Sequence, residues 1–570
     1  MRGCFVTRHK FLWMGFKAAS LLVLLVYLIS NVNITANAYA NIPEKVRIGL
    51  YFNDSQTKQN SAVTSFIVDA GSGIQLGSFQ NNVFTVLVEE TTSAAVTIRK
   101  DAFFVKGSSG LTEYNPSSTP IPGGERVGAY HIKIGEDFAD LKSLNTKLQE
   151  IKQKGIDAYP AYVDKWQIWT GFYVDENDAQ MSILYSLEPV LGSNNYQIVN
   201  PSPTRITAIS KTGQVMLMFD SAAAVFQVHP SPKNVPNVLR INSDDKKRFR
   251  GGLEVRRLTG SDMTVINVVP TEQYLYGVVP YEIEASSHPE ALKAQAVAAR
   301  TYTLNNMKKY SRLDFNLCTT VYSQVYKGFA GETVSTNKAV DDTKGKILTY
   351  NGKPAAVFYF SSSGGRTEDV KNVWGSSDYP YLKSVEDKYE SGKSWRYTWE
   401  VTYTAQKIKQ IMTERGFNLG DIVGIYITKK SEAGRATELV VKGTKDQRIY
   451  TNGSTRSFLS LDSQWYTIST DADVTVKGQG SEPLKTQLAG KKVMTASGLK
   501  TINSTSNSVS IVSSGNVKRT VALVPTTYTF TGRGWGHAVG MSQEGAKGMA
   551  NAGFKYEQIL THYFTGTKVE

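Results

Sequence analysis

The stretch VVPYEIEASSHPEALKAQAVAARTYTLNN, residues 278–306, decides the reading of this chain. Ser287-His288-Pro289-Glu290 has the form of a capping box with proline in the first turn, which predicts a helix carrying Arg300 and Tyr302 near its far end. Small residues at Ala291, Ala294, Ala296, Ala298 and Ala299 let neighbouring backbones come close, so this helix is expected in a tight core. An arginine in such a core is costly unless it is paired or faces a cleft. Glu282, just before the helix, is its first candidate partner.

Two more stretches stand out: FSSSGGRTEDVKNVWGSSDYPYL at 360–382 and GRGWGHAVGMSQEGAKGMANAGFKYEQILTHYFTGT at 532–567. With the first, and in the same order, they resemble the motifs of the SpoIID/LytB family, spread over roughly half the chain. That resemblance implies a lytic transglycosylase acting on peptidoglycan or, in some members, a helper of a cell-wall amidase. It implies that Glu282 is the catalytic residue. The other motif residues it brings forward as substrate contacts are Arg300 and Tyr302 on the helix, Gln324 and Tyr326 in YSQVYKG, and Ser362, Ser363, Gly364 and Gly365 in SSSGGRT. Trp374 in VWG and the C-terminal His537 and Gln543 complete the set, with structural hydrogen bonding as the competing role. The chain departs from the usual GHGVGMSQYGA at Ala538 and Glu544, and the first change removes a glycine suited to an unusual backbone angle.

The chemistry explains why one carboxyl group suffices. Many glycosidases use two carboxylates flanking the scissile bond. In the transglycosylase scheme one glutamic acid protonates the leaving oxygen. As carboxylate, it then helps the sugar's own 6-hydroxyl attack the anomeric carbon, giving a 1,6-anhydro end without water. Such an acid needs a dry pocket to stay protonated at neutral pH. A nearby arginine would push its pKa down, so Arg300 is assigned to substrate or a second carboxylate, with a structural ion pair as the alternative. Glu284 would share a side with Glu282 in an extended backbone, and its plain reading is a solvated acid.

The length of 570 residues suggests three or four domains, and 11% aromatics with 47 glycines fit a β-rich globular chain. Residues 1–40 combine Arg2, Arg8, Lys10 and Lys17 with an apolar run from Ala18 to Ile29 and small-x-small pairs ending at Ala38 and Ala40. This reads as a signal peptide, or as a membrane anchor if uncleaved, and places the rest outside the cytoplasm. The formal charge is +14, and the loss of those four cations leaves +10, suited to an anionic wall or membrane surface. No zinc-finger spacing or basic run supports nucleic acid, and no GxSxG elbow or P-loop occurs. Cys4 lies in the leader, so Cys318 is alone in the exported part and no intrachain disulfide is expected. Some relatives hold zinc with Cys and His near this position. Here the segment 314–328 has one Cys and no His, so no metal or other cofactor is expected, and Cys318 reads as a small core residue.

The fold class expected is α+β, β-rich and multidomain. Residues 41–124 read as short strands, with punctuation at 115–124 marking a boundary. In 125–200, YHIKIG and KWQIWTGFY read as strands, Leu141, Leu144, Leu148 and Ile151 share a helix face before Gly155, and DENDAQMSILYSL and YQIVN add a helix and a strand. This order resembles the SPOR domain, a ferredoxin-like module that binds glycan strands lacking stem peptides, with Trp166, Trp169 and Tyr173 as stacking candidates or as plain sheet packing. Residues 201–570 form the catalytic module, with core motifs at 240–382 and 530–567 and an elaboration at about 400–520. The partners implied are peptidoglycan strands, a cell-wall amidase in the alternative reading, no nucleic acid, and a membrane only through the N-terminal segment.

Overall fold

In the computed structural model, residues 42–570 are described except 72, 92–94, 109, 122, 194, 223, 233–235, 258–260, 376–377, 477–481, 496, 504–507 and 513–516. The leader at 1–40 lies outside the described residues. No helix among them is long and apolar enough to cross a membrane.

Two large sheets organise the β-rich α+β fold. A seven-stranded sheet runs in the order Leu317–Cys318, Lys45–Tyr51, Met263–Pro270, Gly252–Arg257, Val225–Pro230, Ile74–Gln80, Val83–Glu90. The alternation of Val46, Ile48 and Leu50 seats the first strand in this sheet, where it pairs antiparallel with Met263–Pro270. Residues 41–124 therefore do not stand apart: their strands pair with strands beyond residue 200 in both sheets. Cys318 is buried beside Phe52, Tyr310 and Phe315.

The second sheet has ten strands. Four come from the segment expected as a separate module: Tyr130–Ile134, Ala158–Tyr162, Trp166–Tyr173 and Tyr196–Val199. With the helix Leu141–Gln153 and the helical stretch Glu176–Leu191 they follow βαββαβ order, and the spatial order is fourth, first, third, second. That topology is ferredoxin-like. Asp140 caps the first helix through the Ser143 N–H, and Leu144, Leu148 and Ile151 are buried as the spacing predicts. The sheet does not close at residue 200. Ala158–Tyr162 continues in parallel onto Val215–Asp220, with Ala161 opposite Met218. A strand register set by side-chain pattern alone cannot announce that a module's edge strand will find a further partner.

The Ala-rich helix, Pro289–Asn305, lies at the centre of the part that carries the three motifs. Thirteen of its seventeen residues are buried, the signature of a helix packed on all sides. Its neighbours are Val334–Asp342, Gln543–Asn551 and Tyr556–Tyr563. The expected capping box is not formed. His288 is the N-cap, its Nδ1 accepting from the Glu290 N–H at 3.2 Å. Glu290 instead accepts from the Tyr556 N–H at 2.9 Å, so one helix's acidic first turn serves the N-terminus of another.

Arg300 is fully buried and pairs with Glu272, not Glu282. Its Nη2 lies 2.6 Å from Glu272 Oε2, and it also donates to the carbonyls of Lys346 at 3.0 Å and Val340 at 3.1 Å. Every face of the guanidinium is engaged by protein, so of the two partners expected for Arg300, substrate or a second carboxylate, it meets the carboxylate, in a structural ion pair. The sequence pattern pointed to Glu282 because it is the nearer acid in the motif; the short helix Thr271–Tyr276 brings Glu272 closer in space.

Residues 398–533 build a second unit with its own core around Trp399, Ile408, Met412, Leu439, Phe458 and Phe530. The strand Thr398–Thr404 pairs with Thr527–Arg533, so the insertion is clasped at the start of the C-terminal motif. Three hairpins follow between Asp473 and Ala522.

Replacing Glu272 by alanine should leave the Arg300 charge buried without its counter-ion and cost about 3–5 kcal/mol in urea unfolding. A Glu272→Leu/Arg300→Met pair should recover much of that loss. A cost below about 1 kcal/mol for E272A would show that the pair is not holding this core together.

Candidate active site

Glu282 ends the single turn Val279–Glu282, after which Ile283 is extended. It opens onto a cleft of about 460 Å³ whose walls come from all three motifs. Tyr302 and Lys309 come from the Ala-rich helix and the turn after it, and Phe358 to Ser361 and Trp374 from the middle motif. Trp535, Gly536, His537 and Gln543 come from the C-terminal one. The last two motifs are joined by the parallel pairing of Tyr359–Phe360 with Met541–Ser542 and by a bridge between Ser362 and Trp535. Among the described residues lining the cleft, Glu282 is the only carboxylate.

Burial pushes the Glu282 carboxyl above the ordinary range, while the Val325 N–H, donating to its Oε1 at 2.9 Å, and Tyr359 pull the other way. Among the described residues no cation is paired with Glu282, since Arg300 is turned to Glu272. Glu284 is exposed and pairs with Lys547 at 3.4 Å, the solvated acid expected.

The hydrogen bonds behind Glu282 have a direction. Thr303 donates its hydroxyl hydrogen to the Ala299 carbonyl at 2.8 Å, so its oxygen is left to accept from the Gln324 side-chain amide at 3.0 Å. The Gln324 Oε1 then faces Tyr359 and accepts its hydroxyl hydrogen at 2.8 Å. Tyr359 also hydrogen-bonds Glu282. That contact favours the carboxylate and so works against burial.

His537 is a neutral imidazole. Burial, with Arg456 adding to it, pushes its pKa down to about 4. Its Nδ1 accepts from the Val539 N–H at 3.0 Å, and the ring hydrogen-bonds the Tyr359 backbone. It stacks obliquely on Trp374 at 5.2 Å and Phe360 at 5.4 Å. Trp374 keeps 42% of its surface exposed, and Trp535 leans on Trp395, 59% exposed, with ring centres 4.7 Å apart. These faces suit the apolar side of a pyranose. Ala538 sits at φ 66°, the left-handed region the missing glycine would favour, at a cost of about 1 kcal/mol.

Several expected contacts lie elsewhere. Tyr302, Trp374, His537 and Gln543 line the cleft with Glu282. Gln324 is buried behind it, and Tyr326 is buried with its hydroxyl on Asn267 at 2.8 Å. Ser362, Ser363, Gly364 and Gly365 do not reach for a ligand. Their loop wraps the buried Glu390, whose Oε2 accepts from the Ser363 N–H at 3.0 Å, the Ser363 hydroxyl at 2.6 Å and the Gly364 N–H at 2.9 Å. The hydroxyl-rich turn is satisfied by an internal carboxylate some 26 residues on, which no local pattern signals. Trp166 and Trp169 are also corrected. Both are buried, and Trp169 is stacked on His131 at 5.4 Å with Arg205 over its face at 4.9 Å. Neither offers a free ring to sugar. Tyr173 is half-buried and bonds Ser182 at 2.7 Å. Tyr359, Lys309 and Trp535 belong to the cleft but were not singled out from sequence. Aromatics in a run such as VFYFSSS read as strand core, and Lys309 follows a helix end where a cation is ordinary.

Two measurements test this geometry. A carboxyl with a raised native pKa favours the folded state at low pH, and that advantage is lost as pH rises through the native value, at about 1.4 kcal/mol per unit of elevation. Glu282→Gln should therefore unfold at higher temperature than the wild type at pH 7, with the gap shrinking towards pH 4; a constant gap would contradict an elevated pKa. Tyr359→Phe removes a hydrogen bond that favours the Glu282 carboxylate and should raise the Glu282 pKa in a ¹³C titration of labelled glutamate, assigned with E282Q. A downward shift would mean that Tyr359 accepts from the protonated carboxyl instead.

Comparison with known proteins agrees with the motifs. Residues 259–350 match the SpoIID family model, described as Stage II sporulation protein. The amidase enhancer of Bacillus subtilis (strain 168) is 32% identical over 309 residues, covering 51% of this chain and 40% of that protein. The chain thus spans less than half the length of that relative. Stage II sporulation protein D of the same strain is 31% identical over 316 residues, 53% of this chain and 74% of the relative. Its counterpart from Bacillus amyloliquefaciens is 30% identical over 318 residues, again 53% and 74%. With three quarters of such a relative covered and all three motifs converging on one cleft, the chain belongs to the stage II sporulation protein D family.

Proposed function

We propose that this protein is a peptidoglycan lytic transglycosylase that cleaves glycan strands between MurNAc and GlcNAc in sporulation-type remodelling of the wall. The observation that carries this reading is a carboxyl group, the only one among the described residues lining the cleft, its pKa raised by burial, among exposed aromatic faces. Glu282 gives its proton to the glycosidic oxygen as the bond to the anomeric carbon breaks. The resulting carboxylate takes the proton of the muramyl 6-hydroxyl, whose oxygen closes onto the anomeric carbon. The proton returns to Glu282, no water is consumed, and the product end is 1,6-anhydroMurNAc. A hydrolase by inversion would need a second carboxylate to activate water, and the described lining supplies none. The setting is outside the cytoplasm, where the basic chain meets an anionic wall.

A second reading is favoured by one of the relatives, which is named an amidase enhancer. In it the cleft binds glycan without cutting it and the chain stimulates a cell-wall amidase.

Digestion of purified denuded strands followed by mass spectrometry separates the two. The wild type should release anhydro ends, and E282Q should lose at least 10³-fold in rate, a step of about 4 kcal/mol in barrier, while still binding strands. Reducing ends without anhydro sugar would overturn the transglycosylase. Amidase stimulation that persists in E282Q, with no cleavage by the wild type, would install the second reading.

A further inference from the structure

Residues 473–522 take no part in the cleft, and their composition sets them apart. They hold seven Lys or Arg against two Asp or Glu, a net +5, which is half of the +10 carried beyond residue 40. They contain no Phe, Trp, Tyr or His, in a chain with 11% aromatics. Each of their three hairpins is two-stranded, an arrangement that is marginal on its own in water. None of their described residues joins a hydrophobic core.

Every hairpin carries exposed aliphatic residues at its turn end. In the first, Val476 stands opposite Leu484, with 47% and 65% of their surfaces exposed. In the second, Met494 stands opposite Leu499, at 77% and 60%. In the third, Ile511 faces Arg519 and Val512 faces Lys518, and all four are exposed. Directly opposed residues share one face, so the first two hairpins each present an aliphatic pair. Cations accompany them: Lys485 follows Leu484, Lys500 follows Leu499, and Lys492 lies two residues before Met494. Lys485 pairs with Asp473 at 3.3 Å, whereas Lys492, Lys500, Lys518 and Arg519 have no ion-pair partner among the described residues. A single exposed aliphatic side chain is ordinary. The same feature at the ends of three successive hairpins, each beside cations, marks a surface.

The chemistry of the segment narrows what it can meet. Stacking on sugar needs aromatic faces, and it has none. The centre of a protein interface is rich in aromatics and poor in lysine, the reverse of this composition. A second copy would set one +5 against another. An anionic wall polymer answers the cations but offers nothing to the aliphatic pairs. A bilayer containing anionic phospholipid answers both. We propose that 473–522 is a membrane-contacting surface. Its aliphatic hairpin ends enter the boundary between headgroups and acyl chains, and its Lys and Arg side chains meet the lipid phosphates. This contact is independent of the chemistry in the cleft and of any anchoring by the leader.

The test uses residues 41–570, which keep all of the described structure and omit the apolar leader. Co-sedimentation with vesicles of equal parts phosphatidylcholine and phosphatidylglycerol is compared with vesicles of phosphatidylcholine alone. The anionic vesicles should bind about tenfold more tightly or better, with the gap closing at high salt. The combined variant V476S/L484S/M494S/L499S should weaken that binding about tenfold or more. Its circular dichroism spectrum and melting temperature should be unchanged, since those side chains pack in no core. K492Q/K500Q/K518Q should weaken binding about fivefold for each charge removed. Leu499→Cys, labelled with an environment-sensitive dye while Cys318 stays buried, should shift its emission to the blue on anionic vesicles. Equal binding to both vesicles, binding untouched by the serine variant, or an unshifted dye overturns the proposal. Pelleting with cell walls that retain their phosphate polymers, without binding to vesicles, would assign the segment to the wall polymer instead. Self-association that the serine variant abolishes, again without vesicle binding, would assign it to a second copy.

Discussion

Close approach of backbones around the Ala-rich helix is the constraint on which the part carrying the three motifs depends. Alanine at 291, 294, 296, 298 and 299 leaves room for the helices Gln543–Asn551 and Tyr556–Tyr563 from the far end of the chain. Each added methylene at such a seam has to displace packed atoms, and overpacking of that kind typically costs about 1–3 kcal/mol. Because those C-terminal helices follow directly on the strand Met541–Ser542, their docking also carries His537 and Gln543 into the cleft. The insertion at 398–533 can be large because it leaves and re-enters through one paired strand, so its length does not disturb the seam.

The same core decides where charge is allowed. Arg300 is neutralised by Glu272 and capped by carbonyls, so its field does not reach Glu282 uncompensated. Glu390 is neutralised by hydroxyls and N–H groups of the SSSGG loop. Arg435, fully buried, is spread over the carbonyls of Ser363, Arg366 and Thr367. These three buried charges have their partners inside the protein, as buried charges must. In the cleft, Glu282 has no paired cation among the described residues, which leaves its carboxyl free for a ligand.

What was legible in the sequence follows from the range of each interaction. The Ala-rich helix, the amphipathic helix at 141–153 and the alternating strands at 45–51 and 166–173 are local patterns, and all are found. The convergence of three motifs on Glu282 was legible only as a resemblance, since nothing within any one motif says what it will face. The errors have the same origin. Arg300 was expected on substrate or on a second carboxylate, and helix Thr271–Tyr276 supplies the second as Glu272, which no pattern in the motif names. For Trp166 and Trp169 stacking on sugar and plain sheet packing both stood open, because period-2 alternation does not say which face is covered. Here the rings are enclosed by His131, Tyr162 and Arg205. The serines at 362 and 363 looked like ligand donors because their true acceptor, Glu390, is remote in sequence.

The hydrogen bonds at Glu282 bear on how an acid can be both dry and useful. Desolvation alone makes a carboxyl reluctant to ionise, and a general acid has to give its proton away. Tyr359 and the Val325 N–H, which donates to Oε1 at 2.9 Å, both favour the carboxylate and offset part of that reluctance. On the proposed reading one residue serves as acid and then as base, which requires such a balance, and a rigid ion pair with Arg300 would have tipped it to the carboxylate.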